Sequence, residues 1–269
     1  MRKTLLWILA FLIAAGTMVY QRLTGPTYPK RGQAVIGGQT INFRLPRSSE
    51  NLKDCEIVLA IPGADIGGYI EFRRFKTEDP WSKFPLIRRD DSLLGFLPKQ
   101  PMAGKLAYRI VVLEGEKEVP LNGAEPVVIR FRGPVPAWVL IPHVFTMLLA
   151  MLLAARAGLA ALDKKSKPIA YAKWAAIFLF LSGFILGPLM QYYGFGKLWT
   201  GFPFGHDLTD NKTLVALLGW IIALWAGRKG KAARAWVLAA SILSLAVFLI
   251  PHSLLGSELD YSALKPPAK

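Results

Sequence analysis

Residues able to bind a metal are concentrated in one short stretch of this sequence. The chain has only three histidines, and His206 lies in the segment GFPFGHDLTDNKT, between two long apolar runs. Asp207 and Asp210 lie in the same segment. Histidine and carboxylate side chains together are competent ligands for zinc, iron, manganese or copper. The segment therefore indicates a candidate transition-metal site.

The other two histidines lie beside apolar runs, each in the four-residue context Leu-Ile-Pro-His. His143 falls a few residues inside the second apolar run, and His252 falls just beyond the fifth. An ionisable residue near the membrane interior is a functional candidate, because burying it without a partner is costly. The candidate metal ligands are therefore His143, His206, His252, Asp207 and Asp210. Two of the histidines could alternatively serve as axial ligands of a haem.

A structural role for the same stretch is the main alternative. Asp210 can cap the helix that follows it, with Thr209 as the competing cap, because a negative charge is favourable at a helix N-terminus. Lys212 can extend its aliphatic stem to the membrane surface. The stretch would then be a hydrogen-bonded cluster that closes one end of a helical bundle. In a third interpretation, the three histidines are unrelated to one another.

Five apolar segments must position these residues. A helix needs about 20 apolar residues to cross the ~30 Å hydrocarbon layer of a membrane. The second and third segments are long enough, the fourth needs residues 211–213 as its first turn, and the fifth needs its flanks. We therefore predict five membrane spans. The segments run approximately over 5–20, 138–162, 172–192, 214–226 and 235–250.

The first apolar segment is either a membrane anchor or a signal peptide. Arg2 and Lys3 precede it, and small residues follow in its second half, as in a signal peptide. No Ala-x-Ala cleavage site follows, however, and the apolar run continues through Tyr20. We favour an uncleaved anchor over residues 1–22. Both interpretations export the residues that come next.

Lysine and arginine set the predicted orientation in the membrane. An excess of these residues in short loops marks the cytoplasmic side. The sequence therefore predicts a bacterial-type inner-membrane protein with a cytoplasmic N-terminus, and with residues 22–134 and the C-terminus outside. We interpret the net charge of +15 as a signal for orientation rather than for nucleic-acid binding. The basic residues beside the apolar runs are Arg2, Lys3, Arg156, Lys164, Lys165, Lys167, Lys173, Arg228, Lys229, Lys231 and Arg234.

The exported residues 30–132 have the pattern of a β domain. Short alternating apolar runs are separated by turn residues such as Pro62-Gly63 and Asn122-Gly123, which predicts an antiparallel sandwich. The run LPKQPMAGKLAYRIVV resembles the strand–turn–strand pattern of the immunoglobulin-like and fibronectin-like superfold. A fold of this class does not specify a function. The basic and aromatic residues at 73–76 could bind anionic lipid headgroups or form a solvated strand face.

The predicted fold class is a membrane α-helical bundle joined to an exported all-β sandwich domain. Its four parts are an N-terminal anchor or signal peptide (1–22), the immunoglobulin-like or fibronectin-like sandwich (30–132), a four-helix transmembrane domain (136–252) and an exported tail (253–269). The single cysteine, Cys55, cannot form an intramolecular disulfide. Four spans after the anchor are few to enclose a pore, which would be consistent with a homo-oligomer.

The sequence favours a binding role over an enzymatic one. It contains no Walker loop, dinucleotide fingerprint, zinc-protease helix or serine-nucleophile elbow. We therefore expect an accessory or scaffold protein that lies in the lipid bilayer and presents its β domain to a protein partner. A metal- or haem-binding redox subunit that uses the three histidines is the alternative. A transporter or channel is a third hypothesis.

Overall fold

An N-terminal helix, a β-rich region and a second group of helices follow one another along the chain. The computed structural model describes residues 2–63, 65–228, 232–251, 256 and 258–263. They form two units. The helical unit comprises Met1–Pro26 and Val135–Ser257, and the β unit comprises Thr27–Pro134 and Glu258–Lys269. The end of the chain therefore belongs to the β unit rather than to the helices that precede it.

The strands of the β unit form three sheets. The largest has the strand order β3-β11-β9-β5-β6, with β10 paired to β9, while β1-β2 is a hairpin and β4-β8-β7 is the third sheet. Strand β3 runs parallel to β11, and the other described pairs are antiparallel. The strands are β1 Lys30–Ile36, β2 Gln39–Leu45, β3 Ser48–Glu50, β4 Cys55–Ala60, β5 Ile66–Arg74, β6 Ser82–Pro85, β7 Ile87–Arg89, β8 Ser92–Leu97, β9 Lys105–Glu114, β10 Lys117–Pro120 and β11 Val127–Arg132.

The predicted immunoglobulin-like or fibronectin-like sandwich is wrong, because the strands pair into three sheets. Alternation along β4, where buried and exposed residues succeed one another, shows which side chains face the core. It carries no information about which strand lies beside which. One apolar core nevertheless joins the sheets, and Ile70, Tyr108 and Phe131 are each fully buried in it.

The helical unit contains α1 and, after the β-rich region, four further helical segments. Helices α3 (Pro168–Phe180) and α4 (Gly187–Phe195) are continuous with each other through a π-turn, Leu181–Leu186. Pro188 has no N–H to donate to Phe184, so the regular α pattern is interrupted there. The Gly187 N–H donates to the Ser182 carbonyl, five residues earlier. The elements are α1 Arg2–Thr24, α2 Ala137–Leu162, α3 Pro168–Phe180, the π-turn Leu181–Leu186, α4 Gly187–Phe195, α5 Leu208–Gly227 and α6 Ala233–Leu249.

The prediction of five membrane spans is wrong. Among the described helices, three are long and apolar enough to cross a membrane: Lys3–Thr24, Ala137–Leu162 and Pro168–Phe195. Polar residues occupy the first turns of α5, which leaves an apolar portion about 21 Å long over 214–227. Helix α6 has only 17 residues. It stops there because the residue before a proline avoids helical backbone angles, and Ile250, which precedes Pro251, is extended.

The helices pack closely through small residues, and their ends are joined at two opposite faces of the helical unit. A Cβ added to Gly158 of α2 would lie 2.3 Å from Ser241 Oγ of α6, so the two backbones approach directly. We call the face with the connector 163–167, the end of α5 and the start of α6 the basic end. The opposite face, with the loop 196–207, is the loop end.

Candidate functional site

The two aspartates predicted as metal ligands belong to a hydrogen-bonded cluster at the loop end. Asp210 Oδ2 accepts hydrogen bonds from the backbone N–H groups of Thr200, at 2.7 Å, and Gly201, at 2.9 Å. Asp207 is the N-cap of α5, and its Oδ1 accepts from the Thr209 N–H at 2.8 Å. The expectation that Asp210 or Thr209 caps this helix is therefore wrong, since Asp207 does so and Asp210 holds the loop.

Two further hydrogen bonds and one close packing contact fix the loop against the helices. Gln191 of α4 is buried, and its Nε2 donates to Thr200 Oγ1 at 2.5 Å. At Gly201 a Cβ would lie 2.5 Å from Asp210 Cβ, so a larger residue would push the loop away from α5. Asn211 Oδ1 accepts from the Phe202 N–H at 2.6 Å. The cluster thus closes the end of the bundle, which is the structural role that the sequence left open.

Lys212 lies inside this end of the bundle rather than reaching outward. Its side chain is 3% exposed, and Nζ donates to the Ile250 carbonyl at 2.7 Å. Gln21 of α1 donates to the Phe248 carbonyl at 2.7 Å. The last carbonyls of a helix have no partner within that helix. Lys212 and Gln21 therefore cap the end of α6 and connect it to α5 and α1.

His143 contacts the π-turn. Its Nδ1 lies 3.1 Å from the Ser182 carbonyl oxygen, the same carbonyl that accepts the Gly187 N–H. A carbonyl oxygen can only accept a hydrogen bond, so this contact places the proton on Nδ1. In the neutral ring, Nε2 is then the nitrogen whose lone pair can accept a hydrogen bond or bind a metal. π-Turns within α-helices occur frequently at functional sites.

The described residues do not assemble the predicted metal-ligand set. His206 is exposed, and His252 lies outside the described residues. Over the part of the chain that the structure describes, no group of three His, Cys, Asp or Glu side chains could hold a metal ion. Asp207 and Asp210 already accept hydrogen bonds from backbone donors. A metal or haem site stays a prediction from the sequence.

The β unit contains a groove of about 580 Å³ beside the last described residues of the chain. We call it the tail groove, and it is lined by residues 74–79, Lys105 and residues 258–262. Glu258 binds Lys76 at 2.8 Å and Lys105 at 2.6 Å. Burial by itself would raise the pKa of Glu258, but hydrogen bonds from the two lysines hold it below its usual value. Burial lowers the pKa of Lys105, although Glu258 opposes this change.

A second surface lies on the outer side of the largest sheet. We call it the Trp81 face, and it consists of Tyr69, Glu71, Arg73, Trp81, Lys83 and Arg109. The guanidinium carbons of Arg73 and Arg109 lie 5.0 and 4.7 Å from the centre of the Trp81 ring. Lys83 Nζ lies 3.4 Å above the Tyr69 ring. This face thus combines cations with the π-faces of two aromatic rings.

The sequence analysis identified neither surface as a whole, although it singled out residues 73–76, which contribute to both. Residues 73–76 were recognised as basic and aromatic, but consecutive strand residues point to opposite faces of a sheet. Alternation along β5 would have separated Arg73, on the outer face, from Arg74, in the tail groove. Tyr261 gave no local signal, because its partners are more than 150 residues earlier in the chain.

No family model, no curated protein and no solved structure matches this chain. Its function is therefore inferred from its own residues. The Trp81 face and the tail groove are two surfaces of the β unit on which several charged and aromatic side chains converge. The cluster at the loop end, in contrast, is occupied by contacts within the helical unit.

Proposed function

We propose that this chain is an accessory or scaffold protein of a bacterial-type inner membrane, and that its β unit binds a protein partner outside that membrane. The proposal is based on the residues of the Trp81 face. Tryptophan, tyrosine and arginine are the residues most enriched where protein interfaces gain their binding free energy. On this face two arginines share one indole ring, and a tyrosine and a lysine lie beside them.

The arrangement of the face favours binding because its long side chains are already ordered. Arg109 Nη1 lies 3.4 Å from Glu71 Oε1 while its guanidinium contacts Trp81. Immobilising a flexible side chain on binding costs about 0.5–1.5 kcal/mol. Side chains held against aromatic rings before binding have part of that cost removed. Arg109 is still 35% exposed, so its guanidinium can reach a carboxylate or carbonyl of a partner.

The distribution of charge and apolar length supports the membrane part of the proposal. Three described helices have the length and composition of membrane spans. Lysines 164, 165 and 167 lie in the connector between α2 and α3, and Arg228 begins the connector between α5 and α6. By the positive-inside rule the basic end faces the cytoplasm. The chain would then leave α1 and enter α2 on the outer side, which exports the residues between them.

The partner surface can be tested by photo-crosslinking in cells. A photoreactive amino acid replaces the exposed Lys83 in the full-length chain, and we expect a discrete protein adduct. The same replacement at Phe96, an exposed aromatic on β8 in another sheet, serves as the control. Trp81→Ala should abolish the adduct at position 83, because both arginines lose the ring against which they are ordered.

The controls separate a binding defect from a folding defect. Trp81→Ala should leave the thermal unfolding temperature of the purified protein nearly unchanged, since this ring lies outside the buried core. An adduct of equal yield at positions 83 and 96 would contradict the proposal. Crosslinking of position 83 to lipid alone would contradict it as well, and would indicate a membrane-binding face instead.

A further inference from the structure

The last described residues of the chain form one wall of the tail groove and pack on the β unit in the manner of a bound peptide. The Glu258 carboxylate bridges two lysines, as described above, and the Leu259 N–H donates to the Ala103 carbonyl at 3.1 Å. Lys105 is only 14% exposed in its side chain, and its ammonium group also lies near the cations Arg130 and Lys76. Lys105 and Arg130 are largely buried while Lys76 is exposed, and the Glu258 carboxylate balances part of this positive charge.

Tyr261 is the second anchor of the tail. Its hydroxyl oxygen lies 3.0 Å from both the backbone N and the backbone O of Lys105, and 3.1 Å from Gln100 Oε1. The guanidinium of Arg74 lies 5.2 Å from the centre of its ring. A Cβ at Gly104 would lie 2.9 Å from the hydroxyl, so the glycine leaves the space that the phenol fills. The ring is 8% exposed.

Open volume remains in the tail groove beside the tail residues. A groove of about 580 Å³ remains beside residues 258–262 after they have docked. Its walls include Phe75, with Lys76 and Lys105 each 5.6 Å from the ring centre. A longer or bulkier segment could therefore make the same two anchoring contacts and bury more surface.

We propose that the tail groove is a peptide-binding site for segments of the form Glu-x-x-Tyr, and that residues 258–261 are its intramolecular ligand. A partner protein with such a segment displaces the tail and takes over its contacts with Lys76, Lys105 and Arg74. The cationic walls select the carboxylate, and the Lys105 backbone together with Gln100 selects the hydroxyl. This inference goes beyond the Trp81 face, because none of its contacts involves that surface.

The test uses the protein in detergent micelles and a fluorescent peptide with the sequence of residues 256–269. A chain that ends at residue 257 should bind the peptide saturably, as followed by fluorescence anisotropy. The full-length chain should bind it at least tenfold more weakly, because a tethered tail competes at an effective concentration of about a millimolar. Equal binding by the two chains would overturn the proposal, as would the absence of binding to the shortened chain.

Matched peptides test the two anchors. Glu258→Gln and Asp260→Asn each remove one carboxylate, but Asp260 contacts Ser262 within the tail itself. The first change should weaken binding about tenfold, and the second should leave it within about twofold. Tyr261→Phe should weaken binding by a similar factor to Glu258→Gln, because the ring remains while its hydroxyl contacts are lost. Equal losses for the two carboxylate changes would indicate non-specific charge attraction and contradict the proposal.

Two further experiments test the proposal with chains that retain the tail, and they apply even if the shortened chain does not fold. Full-length chains with Glu258→Gln should bind the unmodified peptide more tightly than chains with Asp260→Asn, because their own tail competes less well. Lys105→Met should abolish peptide binding, while Lys99→Met, at an exposed position, should not. Trp81→Ala should leave peptide binding unchanged, so that failure of the tail groove and failure of the Trp81 face are distinguishable.

Discussion

At the scale of single residues, two buried or half-buried cations hold opposite ends of the helical unit by the same chemistry. Lys212 donates to the carbonyl that follows α6 at the loop end, and Arg234 donates to the carbonyls that end α2 at the basic end. A cation is favourable at a helix C-terminus because the exposed carbonyls carry partial negative charge. The sequence predicted only that Arg234 belongs to a cytoplasmic connector, and the structure shows that it lies in the first turn of α6 and caps α2.

Arg234 should therefore contribute measurably to stability. Its guanidinium donates to five carbonyls, at 2.7–3.3 Å, in residues 160, 161, 163, 164 and 166. Arg234→Gln should lower the free energy of unfolding by about 2–3 kcal/mol, because hydrogen bonds from a charged donor are lost. Thermal unfolding in detergent would measure this change.

The control for Arg234 is Arg228, which lies in the connector that precedes α6. Arg228 is exposed, and Arg228→Gln should change the free energy of unfolding by less than about 0.5 kcal/mol. Arg234→Lys should recover only part of the loss, because a lysine cannot reproduce the planar fork of five donors. Equal effects of the two glutamine substitutions would show that net charge, rather than capping, is responsible.

At the scale of elements, the sequence predicted the positions of strands and helices better than their partners and lengths. The continuous apolar run placed the second span over 138–162, and α2 covers Ala137–Leu162. The same reasoning failed for α6 because Pro251 ends that helix after 17 residues, and for α5 because its first turns are polar and include the buried Lys212. The sequence also failed to predict how the strands pair into sheets, because strand pairing depends on contacts between residues far apart in the chain.

The close approach of α2 and α6 depends on a small residue in each helix, Gly158 in α2 and Ser241 in α6. Gly158→Ala would place a methyl carbon 2.3 Å from Ser241 Oγ and disturb its hydrogen bond to the Ala154 carbonyl. Overpacking of this kind costs about 1–3 kcal/mol. We therefore expect Gly158→Ala to lower the unfolding temperature, as measured by scanning calorimetry or fluorescence in detergent.

A second glycine and a compensating change serve as controls. At Gly194 of α4, an added Cβ would meet no atom within 4 Å apart from its chain neighbours and its own helix backbone. Gly194→Ala should therefore be neutral or slightly stabilising, because alanine favours helix. Combining Gly158→Ala with Ser241→Gly removes the crowded atoms and should restore part of the stability, as a coupling in a double-mutant cycle. Additive losses in the double variant would mean that the two helices do not meet at this pair.

At the scale of the whole molecule, local sequence patterns could predict a helical region and a β-rich region. They could not predict that the C-terminal residues pack on the β unit. The composition of residues 30–132 predicted strands, and the apolar segments predicted helices. Residues 253–269 were predicted to be an exported tail, and the structure adds that Glu258 and Tyr261 pack on the β unit. The candidate metal ligands likewise needed three-dimensional information, since Asp207 and Asp210 are engaged by backbone groups that no spacing rule reveals.

The proposed orientation makes a prediction about the whole chain that single cysteines can test. The native Cys55 is 8% exposed, and burial raises the pKa of its thiol, so it should react slowly. In a Cys55→Ala background, cysteine at the exposed position of Glu56 should react with a membrane-impermeant maleimide in intact spheroplasts. Cysteine at the exposed position of Lys165 should react only after permeabilisation, because the positive-inside rule places that connector in the cytoplasm. The reverse pattern would place the β unit inside the cell, and any partner of the Trp81 face would then be a cytoplasmic protein.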